Sequence, residues 1–335
     1  MKSVPASGLV LLIGDLAADI ITTIPEEAPV WRSMTPPAMV RAGGTVGNTA
    51  IALAKLGVPC AVLSATGSDA FGDFVRNQLV SEGVDVNYLH RLTDTFTLVI
   101  FSVSGTNFDR YFWGFPPQGA ASSQRRLDHI DRELIRISRW IHVSGSGLGE
   151  PGLSEMLLEA MRVGRGCKAP VSIDLNIRPK SGELDSEYLT SLREAVDLAD
   201  VVFGSSEDEM TVVTDSADPY LAAERTASSN RSAIVRLGAK GAYVVPAFEH
   251  SLEARVVPAF KIHVRNSVGA GDVFNSGFIA AQLESLDLFE SVRWGNAAAG
   301  ISCTGEDAYS ALTRSAFNNL LRGGNDAVLA QNTEG

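Results

Sequence analysis

The feature that most constrains this chain is a repeated alternation. Short apolar runs of strand length are followed by stretches with helical spacing along most of the 335 residues. Residues 9–13, 61–65, 140–143, 171–175, 201–203, 232–236 and 241–245 read as strands. Several are continuous apolar runs, as expected where a strand is covered on both faces. Residues 49–56, 71–82, 152–163, 186–198, 273–283, 291–303 and 314–321 read as helices, with Gly57 and Gly83 as stops after the first two. Strands that alternate with helices imply an α/β fold with a mostly parallel sheet and helices on both faces. Two stretches break the rhythm: a Pro-rich polar segment at 25–37, and a hairpin-like stretch at 95–112 that turns at Gly105. They read as an excursion from the sheet that forms a small β lid. With no internal repeat or linker, residues 1–325 are expected to form a single domain. The lid segments fall at about 16–42 and 93–117, and residues 326–335 form a flexible tail.

Composition removes several function classes. The chain is 45% hydrophobic and 20% charged, with a formal net charge of −11, so a nucleic-acid polyanion is not expected as its main partner. The run at 9–13 is too short to span a membrane and ends at Gly14-Asp15 instead of a small-residue cleavage site. A cytoplasmic protein without membrane contact is expected. Cys60, Cys167 and Cys303 are scattered, odd in number and form no CxxC pair, which argues against a zinc site or a disulfide framework. The five histidines are dispersed. No GxxxxGK[ST] loop is present, and Gly145-Ser-Gly147-Leu-Gly149 lacks the glycine spacing of a dinucleotide fingerprint, so it reads as a loop.

The chemistry is concentrated in Arg265-Asn-Ser-Val-Gly-Ala-Gly-Asp272-Val-Phe-Asn-Ser-Gly277. This glycine-rich turn opens into a helix, whose free N–H groups and partial positive charge bind anions. A carboxylate beside a bound phosphate repels it, so Asp272 needs a purpose there. A general base for an attacking hydroxyl is one. The bland reading is a turn in which Asp272 caps the helix. Other polar groups fall after strands, where ligands of such sheets bind: Asp15 to Asp19, Asp174-Leu-Asn176-Ile-Arg178, and residues 205–209.

In this order the motifs resemble the ribokinase-like (PfkB) carbohydrate kinase family from about Val10 to Leu321. The first signature is Gly43-Gly44-Thr-Val-Gly-Asn48-Thr-Ala-Ile-Ala-Leu-Ala-Lys-Leu-Gly57, and the second runs from Asn266 to Gly277. Between them Gly67-Ser-Asp69-Ala-Phe-Gly72 is similar to the family's GxDxxG segment. The resemblance implies a ribokinase-like three-layer sandwich with a β lid that closes over a sugar. It also implies transfer of the γ-phosphate of ATP, with Mg2+, to a hydroxymethyl group. Asp272 would be the base, and Gly269, Ala270 and Gly271 the anion hole. Asp19, Gly43, Gly44 and Asn48 match positions that hold substrate hydroxyls, and turn and capping chemistry is their plain alternative. Arg178, in a segment similar to DxNxRP, would clamp an anionic group on substrate or nucleotide, or else pair with Asp174. Arg236, Gly238 and Gly241 resemble a loop bordering the nucleotide. Asn296 falls on the helix that covers the adenine, or bonds internally.

Departures from the family pattern temper these implications. Asn266-Ser267 stands where an Asp-Thr is common, which puts a monovalent cation (potassium) in doubt. The family's NxxE appears as Ser206-Glu-Asp-Glu209, so Glu209 is expected to orient magnesium through water, with Glu207 as the alternative, and Ser206 to face phosphate. Two rivals follow. A nucleoside kinase would use Phe108, Tyr111, Phe112, Trp113 and Phe115 to stack on a base, although such residues also pack lids and dimer interfaces. A non-catalytic sugar-binding relative would account for Asn266 and Ser206. The lid strands offer edges for a homodimer.

Overall fold

The protein is described by a computed structural model covering residues 8–23, 38–104, 110–116, 119–167, 169–178, 184–205, 209–248 and 252–323. Thirteen strands are defined among these residues: β1 Val10–Ile13, β2 Ala17–Thr23, β3 Ala38–Gly43, β4 Cys60–Gly67, β5 Leu89–Leu92, β6 Leu98–Ser104, β7 Arg110–Phe115, β8 Trp140–Ser144, β9 Val171–Asp174, β10 Val201–Ser205, β11 Ser232–Arg236, β12 Ala242–Val245 and β13 Arg255–Val257. The helices are α1 Gly44–Lys55, α2 Ala70–Ser81, α3 Ala121–Gln124, α4 His129–Ile137, α5 Pro151–Arg165, α6 Ser186–Leu198, α7 Met210–Thr214, α8 Pro219–Thr226, α9 Ala270–Leu283, α10 Leu288–Thr304 and α11 Arg314–Leu321.

Nine strands form the central sheet in the order β13-β12-β11-β10-β9-β8-β1-β4-β5. It is parallel from β11 to β5, while β12 and β13 at the other edge pair antiparallel. Alternate residues of each strand enter different cores, as the two-residue strand period requires. Val10 and Leu12 pack with Val46, Ile51, Phe274, Phe278 and Phe317, so α1, α9, α10 and α11 cover one face. Leu11 and Ile13 pack with Ile135, Met156, Leu157 and Leu192, so α4, α5 and α6 cover the other. The result is the expected three-layer α/β sandwich.

The second sheet has the order β3-β2-β6-β7. β2 leaves the central sheet three residues after β1, and β3 returns directly into α1. The β6–β7 hairpin is antiparallel, as the 95–112 pattern predicts. The GxDxxG corner anchors this sheet. Asp69 caps α2 by accepting from Gly72 N–H at 2.8 Å and also accepts from Thr97 N–H at 2.7 Å, just before β6. A Cβ on Gly72 would lie 2.3 Å from the Gly67 carbonyl, which explains a glycine there. The segment 145–149, expected as a loop, is a short 3₁₀ helix leading to α5. Residues 24–37, 105–109 and 326–335, which hold parts of the expected lid and the tail, lie outside the described residues.

Candidate active site

Two helix N-termini converge where β2, β3 and the parallel strands end. One is the start of α1 and the other the start of α9. Gly269, at φ +75° and ψ 0°, is the N-cap of α9, a left-handed conformation that glycine adopts without strain. That cap moves the helix start to Ala270, three residues before the position the apolar pattern gives. Asn266 prepares the turn: its Oδ1 accepts from Val268 N–H at 3.0 Å and its Nδ2 donates to the Glu306 carbonyl at 2.8 Å. The Ala270 N–H donates to the Ser267 carbonyl at 3.3 Å. Among the described residues, the Gly269, Gly271 and Asp272 N–H groups are left at this end without a backbone partner.

Asp272 sits in the first turn of α9 and is buried. Asn48, on α1, donates through Nδ2 to its Oδ2 at 2.9 Å, and Thr49 Oγ1, which donates to the Thr45 carbonyl at 3.0 Å, lies 3.3 Å from the Asp272 carbonyl. The two signatures therefore meet in space although 224 residues separate Asn48 from Asp272. Burial pushes the Asp272 carboxyl well above the usual carboxylate range. The Asn48 hydrogen bond opposes this, Asp174 adds to it, and Arg236 and Arg178 pull it back. A carboxylate raised in this way is a stronger proton acceptor than a solvated one.

Asp19, on β2, faces the start of α1. A Cβ on Gly43 would lie 1.9 Å from Asp19 Oδ2, so the glycine makes room for this carboxylate. Gly44 has φ +73°, and a Cβ there would lie 2.8 Å from the Asp15 carbonyl. Asp19 Oδ1 is buried without a hydrogen-bond partner. Burial lifts the carboxyl to about 7, a Gly44 backbone hydrogen bond lowers it, and Asp15 raises it further. Such an orphaned acceptor is what a ligand hydroxyl would satisfy.

The 174–178 segment corrects one expected pairing. Asp174 takes Arg236 rather than Arg178, in a bidentate pair with Nη1–Oδ2 2.7 Å and Nη2–Oδ1 2.8 Å. Asn275 Nδ2 also donates to Asp174 Oδ2 at 2.6 Å. Burial raises the Asp174 carboxyl, but the Arg236 charge and these hydrogen bonds outweigh it and hold the group below the usual range. Arg178 is 67% exposed and lies 3.5 Å from Glu209 Oε1. Asn176 donates to Thr45 Oγ1 at 2.6 Å, which ties this loop to α1.

Glu209 is buried, and its Oε2 accepts from Ser205 N–H at 2.7 Å. Arg236 Nη2 lies 3.6 Å from the same oxygen. Two guanidinium groups thus face this carboxylate, which does not suit direct ligation of a cation. Oε1, faced among the described residues by the exposed Arg178, fits a contact to hydrated magnesium through water. Ser206 and Glu207 lie outside the described residues. Asn266 lacks the charge of the usual aspartate, and its Oδ1, the atom that could ligate a monovalent cation, already accepts from Val268 N–H.

The remaining residues expected to border the nucleotide are two turn glycines and a residue of α10. Gly238 and Gly241 have φ +57° and +99°, and a Cβ on Gly241 would lie 2.0 Å from the Val257 carbonyl. Asn296 donates through Nδ2 to the Val257 and Pro258 carbonyls at 3.0 and 3.1 Å. The residue is buried and bonds internally, the second of the two expected roles. Asn275 and the Asp174–Arg236 pair were not anticipated from the sequence. The available signal was a polar residue three positions after Asp272 in an apolar helix.

Comparison with known proteins gives the family and the fold. Residues 9–314 match the profile described as pfkB family carbohydrate kinase. A 5-dehydro-2-deoxygluconokinase from Clostridium tetani is 26% identical over 270 residues, 77% of each chain. A ribokinase from Haemophilus influenzae is 25% identical over 317 residues, 90% of this chain and 94% of that one. A solved fructokinase with bound ATP from Xylella fastidiosa superposes with a TM-score of 0.80 at 23% identity, covering 94% of this chain and 98% of that one. At that identity the likeness speaks for the fold.

Proposed function

The chain belongs to the pfkB family of carbohydrate kinases, and from this premise we propose that it transfers the γ-phosphate of ATP to a hydroxymethyl group of a small sugar, with Asp272 as general base. It is a phosphotransferase with an alcohol acceptor, like the sugar kinases it is similar to. The observation that carries the finer reading is the meeting of two helix N-termini at one buried carboxylate, Asn48 on α1 donating to Asp272 on α9. An anion-binding helix end next to a raised carboxylate supplies the two requirements of phosphoryl transfer, charge stabilisation and a proton acceptor.

In this reading the orphaned Asp19 oxygen accepts from a sugar hydroxyl, and Gly43 and Gly44, by making room for Asp19 and the Asp15 carbonyl, keep that carboxylate at the start of α1. Asn48 orients both Asp272 and a substrate hydroxyl. Asp272 takes the proton of the attacking hydroxymethyl oxygen. The Gly269 and Gly271 N–H groups, with that of Ala270 once it gives up its long bond to the Ser267 carbonyl, receive the charge that develops on the transferred phosphoryl. Gly238 and Gly241 border the nucleotide, Arg178 swings toward phosphate or an anionic sugar, and Glu209 holds magnesium through water. Magnesium, when bound with ATP, neutralises charge on the phosphates. Asn266 in place of the usual aspartate leaves a potassium requirement in doubt, which assays with and without K+ decide.

Among the described residues no helix is long and apolar enough to cross a membrane. The lid sheet leaves Phe112, Trp113 and Phe115 about half exposed, and such a face suits a homodimer through the lid. Phe108 lies outside the described residues. The function is tested by coupled ADP release with ATP and Mg2+ against ketoses, aldoses, sugar acids and nucleosides, with Asp272→Ala as control. Turnover of a sugar that the control abolishes is the expected result. Turnover of adenosine alone would replace the sugar by a nucleoside. Sugar binding without turnover would make the chain a binding relative.

A further inference from the structure

We propose that Arg236 is a positioning residue that locks the first turn of α9 onto the ends of β9 and β11, and that it is not a nucleotide ligand. The inference rests on the kinase reading above. Arg236 is the last residue of β11, and its side chain is 16% exposed. Both of its terminal nitrogens are engaged inside the protein. Besides the bidentate pair with Asp174, Nη1 donates to Asn275 Oδ1 at 3.2 Å and lies 3.4 Å from the Gly271 carbonyl. Asn275 returns a bond to Asp174. One planar guanidinium thus connects the last residue of β9, its own strand and two residues of α9 that bracket Asp272.

The same group gives Gly271 a reason other than phosphate approach. A Cβ on Gly271 would lie 3.2 Å from both Cζ and Nη1 of Arg236. The guanidinium fills the space that a side chain at 271 would need, directly behind the anion-binding N–H groups. Its charge adds to the positive end of the α9 dipole. It also opposes the burial that raises Asp272. A lysine keeps the charge but cannot reproduce the fork. Displacement of Asp272 by a fraction of an ångström is enough to slow a step that depends on alignment.

Steady-state kinetics of wild type, Arg236→Lys, Gly271→Ala and the double variant test this, with a thermal melt to check that each is folded. Arg236→Lys is expected to lower kcat roughly 10- to 100-fold, with KM for ATP and for the sugar within about twofold. Gly271→Ala should lose a similar factor, and the double variant should be no slower than Arg236→Lys alone, because lysine vacates the space that the methyl needs. A rise in KM for ATP at unchanged kcat would overturn the proposal and make Arg236 a nucleotide ligand. Multiplying losses in the double variant would overturn the account of Gly271. Should Arg236→Lys match an active wild type, only this inference falls. A folded wild type that turns over no sugar overturns the kinase reading and this inference with it.

Discussion

The two acidic corners of the site are built alike and poised differently. Asp19 and Asp272 each stand at a helix N-terminus beside glycines, and burial raises both carboxyls. Asp272 is held by Asn48 and has Arg236 behind its turn. Asp19 has an oxygen with no partner, and its nearby charge is the like charge of Asp15. The difference separates two roles. A group fixed before any ligand arrives suits proton transfer, which depends on alignment. A group left unsatisfied gains most from a ligand that donates to it.

The sharpest way to break this comparison is Asp272→Asn. It should reduce kcat by about 10³-fold, while ATP binding measured by calorimetry stays intact. Equal losses in both parameters would remove the distinction between the corners. Next in size come Asp19→Asn and Gly43→Ala. Each should raise KM for the sugar by roughly 10- to 100-fold and leave KM for ATP alone, since the Gly43 methyl would occupy the place of the Asp19 carboxylate. Divergent behaviour of the two variants would detach Gly43 from Asp19.

A pH profile sharpens the same contrast. The Asp19 carboxyl is raised to about 7 in the folded chain, above its unfolded value. The stability gained by keeping it neutral is therefore complete below the ordinary carboxylate range and is lost as pH rises through about 7. Asp19→Asn should raise the melting temperature at pH 8 by roughly 2 °C and change it little at pH 4. Sugar hydroxyls donate to the ionised form, so KM for the sugar in the wild type should fall as pH rises through about 7. In Asp19→Asn that dependence should be absent, and its persistence would assign the limb to another group. The smallest effect is expected at the Arg41–Asp307 ion pair, 2.9 Å long with Arg41 40% exposed. Arg41→Ala should cost no more than about 1 kcal/mol by denaturant titration.

Much of the architecture was legible because its signals are local. The bounds of α6, α11 and β11 coincide with the apolar pattern. Strands β5 and β13 were missed: they are short edge strands with mixed polarity, so periodicity has little to work on. Helix α4 was also missed, although Asp128 and Asp131 form a capping box at its start. At the site, Asp272 and its glycines stood out as a motif, and so did Gly43, Gly44 and Asn48. What escaped was which glycine answers to which neighbour. Gly43 makes room for Asp19, Gly271 for Arg236, and Gly269 supplies a left-handed cap.

The sequence by itself determined the alternation of strands and helices, the layered sheet and the two glycine-rich helix starts. These depend on residue spacing and turn chemistry within a few positions. Only the tertiary structure decided that Arg236 pairs with Asp174 and that Asn48 meets Asp272. The reason is register. Asp174 pairs with Phe203, and Phe203 with Ile234, so Arg236 lies one two-residue step beyond Asp174 on the same face. It reaches back across β10, about 10 Å for two strand spacings. That geometry exists only once three successive strands, separated by helices, lie side by side.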